Sequence, residues 1–287
     1  MNRTIVTFVS LILFASCSLP EGIDNSPEDI EKHFQAKKIK PDERTLIIDK
    51  QKIHFVATGD NKDRIVVFVH GSPGSWDAYL RFLTDTDLLA QAKLISVDRP
   101  GYEKSQGEAE LSLQRQAYLL MQALQKSYPE KKYLLVGHSF GGPVIARMAM
   151  DYPEQVSHLV LVAASIDPEL EVVRWYQKFA DWTIIRWILP HSLDVCNQEI
   201  LPLKQELQKM LPLWKNIRIP VTVIQGEKDT LVPPGNATFA KKMLINTAKV
   251  DMIVKKEMNH FVPWEHPELI KTAVLGYLSE VHTKEKQ

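Results

Sequence analysis

Residues 132–152 read KYLLVGHSFGGPVIARMAMDY, and the rest of the chain is organised around them. The apolar run Tyr133–Val136 predicts a buried strand, and Val144–Met150 predicts a helix with apolar positions on more than one face. Between them Gly137-His138-Ser139-Phe140-Gly141 has the G-x-S-x-G spacing of a nucleophile elbow, a sharp strand-to-helix turn that lifts a serine hydroxyl clear of a sheet. Glycines flank the turn because strand and helix approach there too closely for a side chain. Pro143 falls in the first helical turn, where its missing N–H costs nothing. The helix N-terminus beside Ser139 favours negative charge as it develops.

Outward from this unit, strand and helix signals alternate. Thr45–Ile48 and Ile53–Ala57 predict a hairpin at a sheet edge, and Ile65–Val69 a buried parallel strand. Leu94–Val97, Val156–Ala163, Val221–Ile224 and Met252–Val254 predict further strands, with helices over Leu113–Lys126 and Pro267–Val281. The pattern is that of an α/β protein with a mostly parallel sheet covered by helices on both faces. Residues 165–216 break it. They show no strand signal, only three or four helical pieces separated by Pro168, Pro190, Pro202 and Pro212, and hold Trp175, Trp182, Trp187 and Trp214, four of the chain's 6 tryptophans. This predicts an inserted helical cap over a pocket, with one or two rings facing the pocket and the others filling the cap's own small core.

The hydrophobic fraction, 45%, is ordinary for a folded chain of 287 residues. Lys plus Arg and Asp plus Glu both number 35, and no basic stripe interleaves with aromatics, so no nucleic acid partner is expected. Glu265-His266 lacks the helical H-E-x-x-H arrangement, and there is neither a Walker loop nor a dinucleotide fingerprint, so no metal and no cofactor is expected. The expected partner is a small-molecule substrate.

The N-terminus has its own logic. Met1-Asn2-Arg3 is a short basic start, Ile5–Phe14 is a mostly apolar run too short to span a bilayer, and Ala15-Ser16 are small. Residues 1–16 read as a signal peptide. Leu13-Phe14-Ala15-Ser16-Cys17 resembles the lipobox of bacterial lipoproteins, which implies lipidation of Cys17 and an exported, membrane-anchored protein. Residues 17–40, polar and punctuated by prolines, read as a flexible tether with room for a short helix around Glu28–Ala36. The domain boundaries are then 41–164 and 217–287 for the core and 165–216 for the cap. The other cysteine, Cys196, lies in the cap and reads as packing.

A serine hydroxyl needs a base, and the base an orienting carboxylate. Asp229 follows the strand Val221–Ile224 in Gly226-Glu227-Lys228-Asp229, and His260 precedes the last helix, giving the order Ser, Asp, His. Asp167, just after the strand ending at Ala163, is a reserve acid should Asp229 merely cap its turn. Of the other histidines, His70 and His138 flank the site and are expected to order loops, whereas His54, His158 and His266 read as structural or exposed.

The blocks His70–Gly74, Asp98–Ser105, Gly137–Gly141, Gly226–Val232 and His260 with Pro263 resemble those of the α/β-hydrolase superfamily, from about Thr45 to the end and spaced as in members with a helical cap. That resemblance implies an α/β-hydrolase fold and a serine hydrolase in which Ser139 is the nucleophile, His260 the general base and then acid, and Asp229 its partner. It also implies the backbone N–H groups of Ser72 and Phe140 as the oxyanion hole, Pro73 having none to offer. Superfamily members that are dehalogenases or epoxide hydrolases carry Asp at the nucleophile position, where this chain has Ser139. In Asp98–Ser105, DRPGYEKS, Glu103 stands where a second glycine is common. The expected reaction is cleavage of an ester, thioester or amide of a small, partly apolar substrate through an acyl-enzyme. Acyl transfer or aminopeptidase chemistry on the same scaffold, and ligand binding with negligible turnover, are the alternatives.

Overall fold

A computed structural model describes residues 23, 25–60, 63–173 and 175–285; the signal peptide and Cys17 lie outside them. The elements in chain order are α1 (Pro27–Lys37), β1 (Asp42–Ile48), β2 (Gln51–Thr58), β3 (Ile65–Val69), β4 (Lys93–Val97), α2 (Leu113–Ser127), β5 (Tyr133–His138), α3 (Gly141–Asp151) and β6 (Val156–Val162). Then come α4 (His191–Ile200), α5 (Leu203–Met210), β7 (Val221–Gly226), α6 (Gly235–Met243), β8 (Val250–Lys255) and α7 (Pro267–Glu285), with shorter helical turns between some of them.

The eight strands form one sheet in the order β1-β2-β4-β3-β5-β6-β7-β8. β1 pairs antiparallel with β2, and β2 with β4; every other pairing is parallel. Strand residues alternate between two apolar layers. Ile65, Val67 and Val69 of β3 pack with α2, α3 and α6, and Val66 and Phe68 pack with α1 and α7. The chain leaves β3 toward β4 on one side and resumes at β5 on the other. That reversal falls at the carboxyl ends of β3 and β5, the position at which open α/β sheets bind ligands.

Two expectations need correction. The segment read as a flexible tether is folded from Asn25 onward: α1 buries Phe34 against the domain, its ring 6.3 Å from that of Trp76, and Asn25 Nδ2 donates to Asp77 Oδ2 at 2.9 Å. Ser26 caps the helix by accepting from the Asp29 N–H, and the proline that looked like punctuation is simply its first residue. The four tryptophans of residues 165–216 are not buried together as a core. Trp175, Trp182 and Trp187 are 78%, 64% and 88% exposed, and only Trp214 is buried. Trp214 packs edge-on to Phe239 of α6, in the main core. Among the described residues of this segment, Leu203, Leu207 and Met210 are buried with Trp214 in the main core, and Val195 is buried as well.

Close approach explains the elbow glycines. A Cβ at Gly141 would lie 2.3 Å from Val69 O and 2.7 Å from His70 O, and one at Gly137 2.5 Å from Gly141 O. These are backbone atoms and cannot turn aside. Gly141→Ala is therefore expected to cost about 3 kcal/mol or more, the upper end for overpacking, read from urea unfolding midpoints.

Candidate active site

Ser139 sits between β5 and α3 with φ of 53°, a left-handed conformation that a non-glycine residue keeps only when its surroundings fix it. They do so through three backbone hydrogen bonds: Ser139 N–H to Val162 O, and Gly142 and Ser165 N–H to Ser139 O, at 3.0, 3.0 and 3.3 Å. The turn after β3 lies directly alongside, since a Cβ at Gly71 would stand 3.0 Å from Ser139 Cβ. Ser72 follows in that turn, and Phe140 opens α3. Among the described residues neither the Ser72 nor the Phe140 N–H is paired with a protein acceptor.

The predicted acid and base meet. His260 Nδ1 donates to Asp229 Oδ2 at 2.8 Å, both residues being buried. The loop after β7 carries Asp229 and the loop after β8 carries His260, so parallel pairing of these strands brings the two together. Asp229 also caps its turn, accepting from Leu231 and Val232 N–H through Oδ1 at 2.9 and 2.8 Å, while Gln225 Nε2 donates to Oδ2 at 3.2 Å. The two roles fall on different oxygens. With Nδ1–H committed to the carboxylate, His260 Nε2 is left as the acceptor, the tautomer a general base needs. Among the described residues no hydrogen bond joins Ser139 Oγ to His260; such bonds commonly tighten only when substrate is bound. The reserve acid, Asp167, accepts the N–H of Glu169 at 2.9 Å and serves its own turn.

His70 and His138 order loops as expected. His70 Nδ1–H donates to Gly71 O at 2.8 Å and its Nε2 accepts the Arg99 N–H at 2.9 Å, so the ring is neutral. His138 Nε2–H donates to His260 O at 2.9 Å, with the two rings 4.7 Å apart. Of the remaining histidines, His54 is buried against Asp98 at 2.7 Å and His158 stacks on Tyr277. Cys196, in α4, has its thiol pushed up to about 12 by burial, far from the thiolate a cysteine nucleophile requires. Among the described residues no three His, Cys, Asp or Glu side chains converge as a metal site.

A profile of the family described as the alpha/beta hydrolase fold matches residues 64–185. The solved structure of lip1 from Acinetobacter baumannii AYE superposes with a TM-score of 0.70 at 18% identity, covering 92% of this chain and 99% of that one. The chain has the α/β-hydrolase fold. A 2-hydroxy-6-oxononadienedioate/2-hydroxy-6-oxononatrienedioate hydrolase of Pseudomonas sp is 22% identical over 263 residues, covering 79% of this chain and 92% of that protein. The pimeloyl-[acyl-carrier protein] methyl ester esterase of Proteus mirabilis is 33% identical over 117 residues, 40% of this chain and 41% of that protein.

Three polar groups of this α/β-hydrolase fold escaped the sequence reading. Gln225 steadies the Asp229 carboxylate, and Arg99 and Glu199 form a buried ion pair at 2.7 Å. Arg99 had a signal in its place after β4 in DRPG, but Glu199, 100 residues further on, had none. Glu169 and Glu171 also find places. Glu169 is exposed beside Lys204 at 3.5 Å. Glu171 is half-buried and accepts from the Ser165 hydroxyl, and burial raises its carboxyl above the usual range.

The buried histidines make stability depend on pH. Burial, then the proximity of His260, holds His138 at about 3; burial holds His158 at about 4; and burial, then Arg99, holds His70 well below its ordinary value. As pH falls through about 6.5 the unfolded chain takes up a proton at each while the folded chain does not, so each contributes a loss of about 1.4 kcal/mol per pH unit. Stability is fully present above that pH and is expected to drop by about 2 kcal/mol each for His138 and His158 between pH 6.5 and 5, with His70 adding a loss of the same sign. Urea unfolding at pH 7 and pH 5 checks this, and equal unfolding free energies would contradict it.

Proposed function

We propose that this chain is a serine hydrolase that cleaves an ester, thioester or amide of a small, partly apolar substrate through an acyl-enzyme on Ser139. The observation that carries the reading is the buried His260–Asp229 pair at 2.8 Å, at the same end of the sheet as a strained serine beside two N–H groups that find no acceptor among the described residues. In the acylation step Ser139 Oγ attacks the substrate carbonyl and gives its proton to His260 Nε2. The Ser72 and Phe140 N–H groups receive the oxyanion, and the imidazolium, stabilised by Asp229, protonates the leaving alcohol, thiol or amine. Water then repeats the sequence on the acyl carbon and releases the acid. That relatives sharing the fold carry hydrolase and esterase names supports the reaction class.

The test is turnover of chromogenic esters of increasing acyl length and of aminoacyl anilides. Ester hydrolysis with a chain-length optimum is the expected result, and the optimum sizes the space under the cap. Anilide hydrolysis without ester hydrolysis would move the reading to a peptidase, with Glu171 as the group to examine for holding a substrate amine. A ligand that stabilises the protein and is recovered unchanged would instead favour a binding protein.

We also propose, from Met1–Cys17 alone, export and lipid anchoring through Cys17. Labelled palmitate incorporated by wild type and absent from Cys17→Ala is the expected result.

A further inference from the structure

Arg99 is fully buried in the loop after β4 and uses every arm of its guanidinium. Nε donates to His70 O at 3.0 Å and Nη2 to Gly71 O at 2.8 Å, gripping the two carbonyls immediately before Ser72. Its planar face lies over the ring of Phe140, 4.6 Å from the centroid. One side chain thus touches both segments whose N–H groups are assigned to the oxyanion hole. Its counter-ion comes from the cap: Glu199 of α4 accepts from Nη1 and Nη2 at 2.8 and 2.7 Å and is itself 1% exposed.

The carboxylate has two further donors, Tyr102 Oη at 2.6 Å and Gln116 Nε2 at 3.2 Å. Tyr102 Oη lies 3.0 Å from Ser72 Oγ, which joins the oxyanion turn to the same cap residue by a second route. A fork that binds a carboxylate on one side and two carbonyls on another fixes all of them in one plane. Among the described residues Glu199 is the one charged partner of Arg99, Gln116 Oε1 accepting from Nη1 as well at 3.0 Å, so the arginine that grips the turn is neutralised from α4.

We propose that Glu199 is a positioning residue through which the cap, acting on Arg99 and Tyr102, holds the oxyanion hole in its working geometry. Seating of the cap and assembly of the hole are then one event. The inference rests on the serine hydrolase reading above. It differs from a packing role because the cap has a second mooring: Glu206 of α5 accepts the Leu113 N–H at the start of α2, at 3.0 Å. Removing Glu199 leaves that contact in place.

The test compares wild type with Glu199→Gln and Tyr102→Phe, reading kcat and KM on the best ester of the panel, affinity for an alkyl trifluoromethyl ketone, and the thermal midpoint. Such a ketone adds Ser139 Oγ at its carbonyl carbon, passes the serine proton to His260 and leaves an alkoxide in the oxyanion hole. The Gln variant is expected to lose at least tenfold in kcat and tenfold in ketone affinity, with KM changed by less than threefold. The Phe variant is expected to lose three- to tenfold in both and, lacking only a hydroxyl, gives a reading even if the Gln variant does not fold. Unchanged kcat and ketone affinity in the folded variants, or a rise in KM alone, would overturn the inference and leave the serine hydrolase reading intact. A wild type that neither turns over esters nor binds the ketone would overturn both.

Discussion

Replacing Ser139 by Ala is expected to lower kcat on any ester substrate by about 10⁴- to 10⁶-fold while leaving KM within a few-fold. The size of the loss follows from the site. No second hydroxyl shares the elbow, the Ser72 hydroxyl in the adjoining turn is engaged with Tyr102 Oη at 3.0 Å, and the Cys196 thiol is held protonated by burial. The residual rate is what the Ser72 and Phe140 N–H groups and substrate binding can give to attack by water. The fold is expected to survive, since the hydrogen bonds that hold residue 139 at positive φ all run through its backbone. Steady-state kinetics with the unfolding midpoint measured in parallel checks this; full activity in a folded Ser139→Ala protein would end the assignment.

Asp229→Asn is expected to lower kcat by about 10³- to 10⁴-fold, and Asp167→Asn by less than threefold. Asp229 Oδ1 accepts two backbone N–H groups, those of Leu231 and Val232. An asparagine would keep its carbonyl oxygen there, because its NH₂ cannot accept from them. The amide nitrogen must then replace Oδ2 and point its hydrogens at His260 Nδ1 and Gln225 Nε2. To avoid facing a donor with a donor, His260 must shift its proton to Nε2, the atom that has to receive one from Ser139. The imidazolium also loses its counter-ion. Asp167 makes no contact of this kind, its carboxylate being committed to the Glu169 N–H. A near-normal kcat for Asp229→Asn would move the role elsewhere.

What could be read from the sequence was whatever depends on local chemistry. The runs Ile65–Val69 and Tyr133–Val136 had to be buried strands because nothing but a sheet covered on both faces absorbs such residues. The elbow announced itself because only glycine tolerates the contacts at residues 137 and 141. Asp229 and His260 were legible from their places after strands, and the structure brings them together, although sequence could not show that Asp229 both caps its turn and meets His260.

What could not be read depends on partners distant in the chain. Residues 25–40 are polar enough for a tether, and what ties them down are partners more than 40 residues away: Phe34 against Trp76, Asn25 on Asp77 and His33 on Thr84. Tryptophan content predicted a cap core, but burial is decided by what packs over a side chain, and Trp175, Trp182 and Trp187 are left exposed. Glu103 stands where glycine is usual and keeps φ at 38°, so the loop holds the glycine-like conformation despite the substitution. Glu199 has no local signature because its role exists only once α4 lies over Arg99.

Whether Ser139 is the nucleophile is decided by treating the folded wild-type protein with a fluorophosphonate and locating the adduct by intact mass and peptide mapping. One phosphonyl group per chain is expected, on the peptide containing Ser139, its formation blocked by His260→Gln. An adduct on another residue, or none under conditions that label an active serine esterase run alongside, would contradict it.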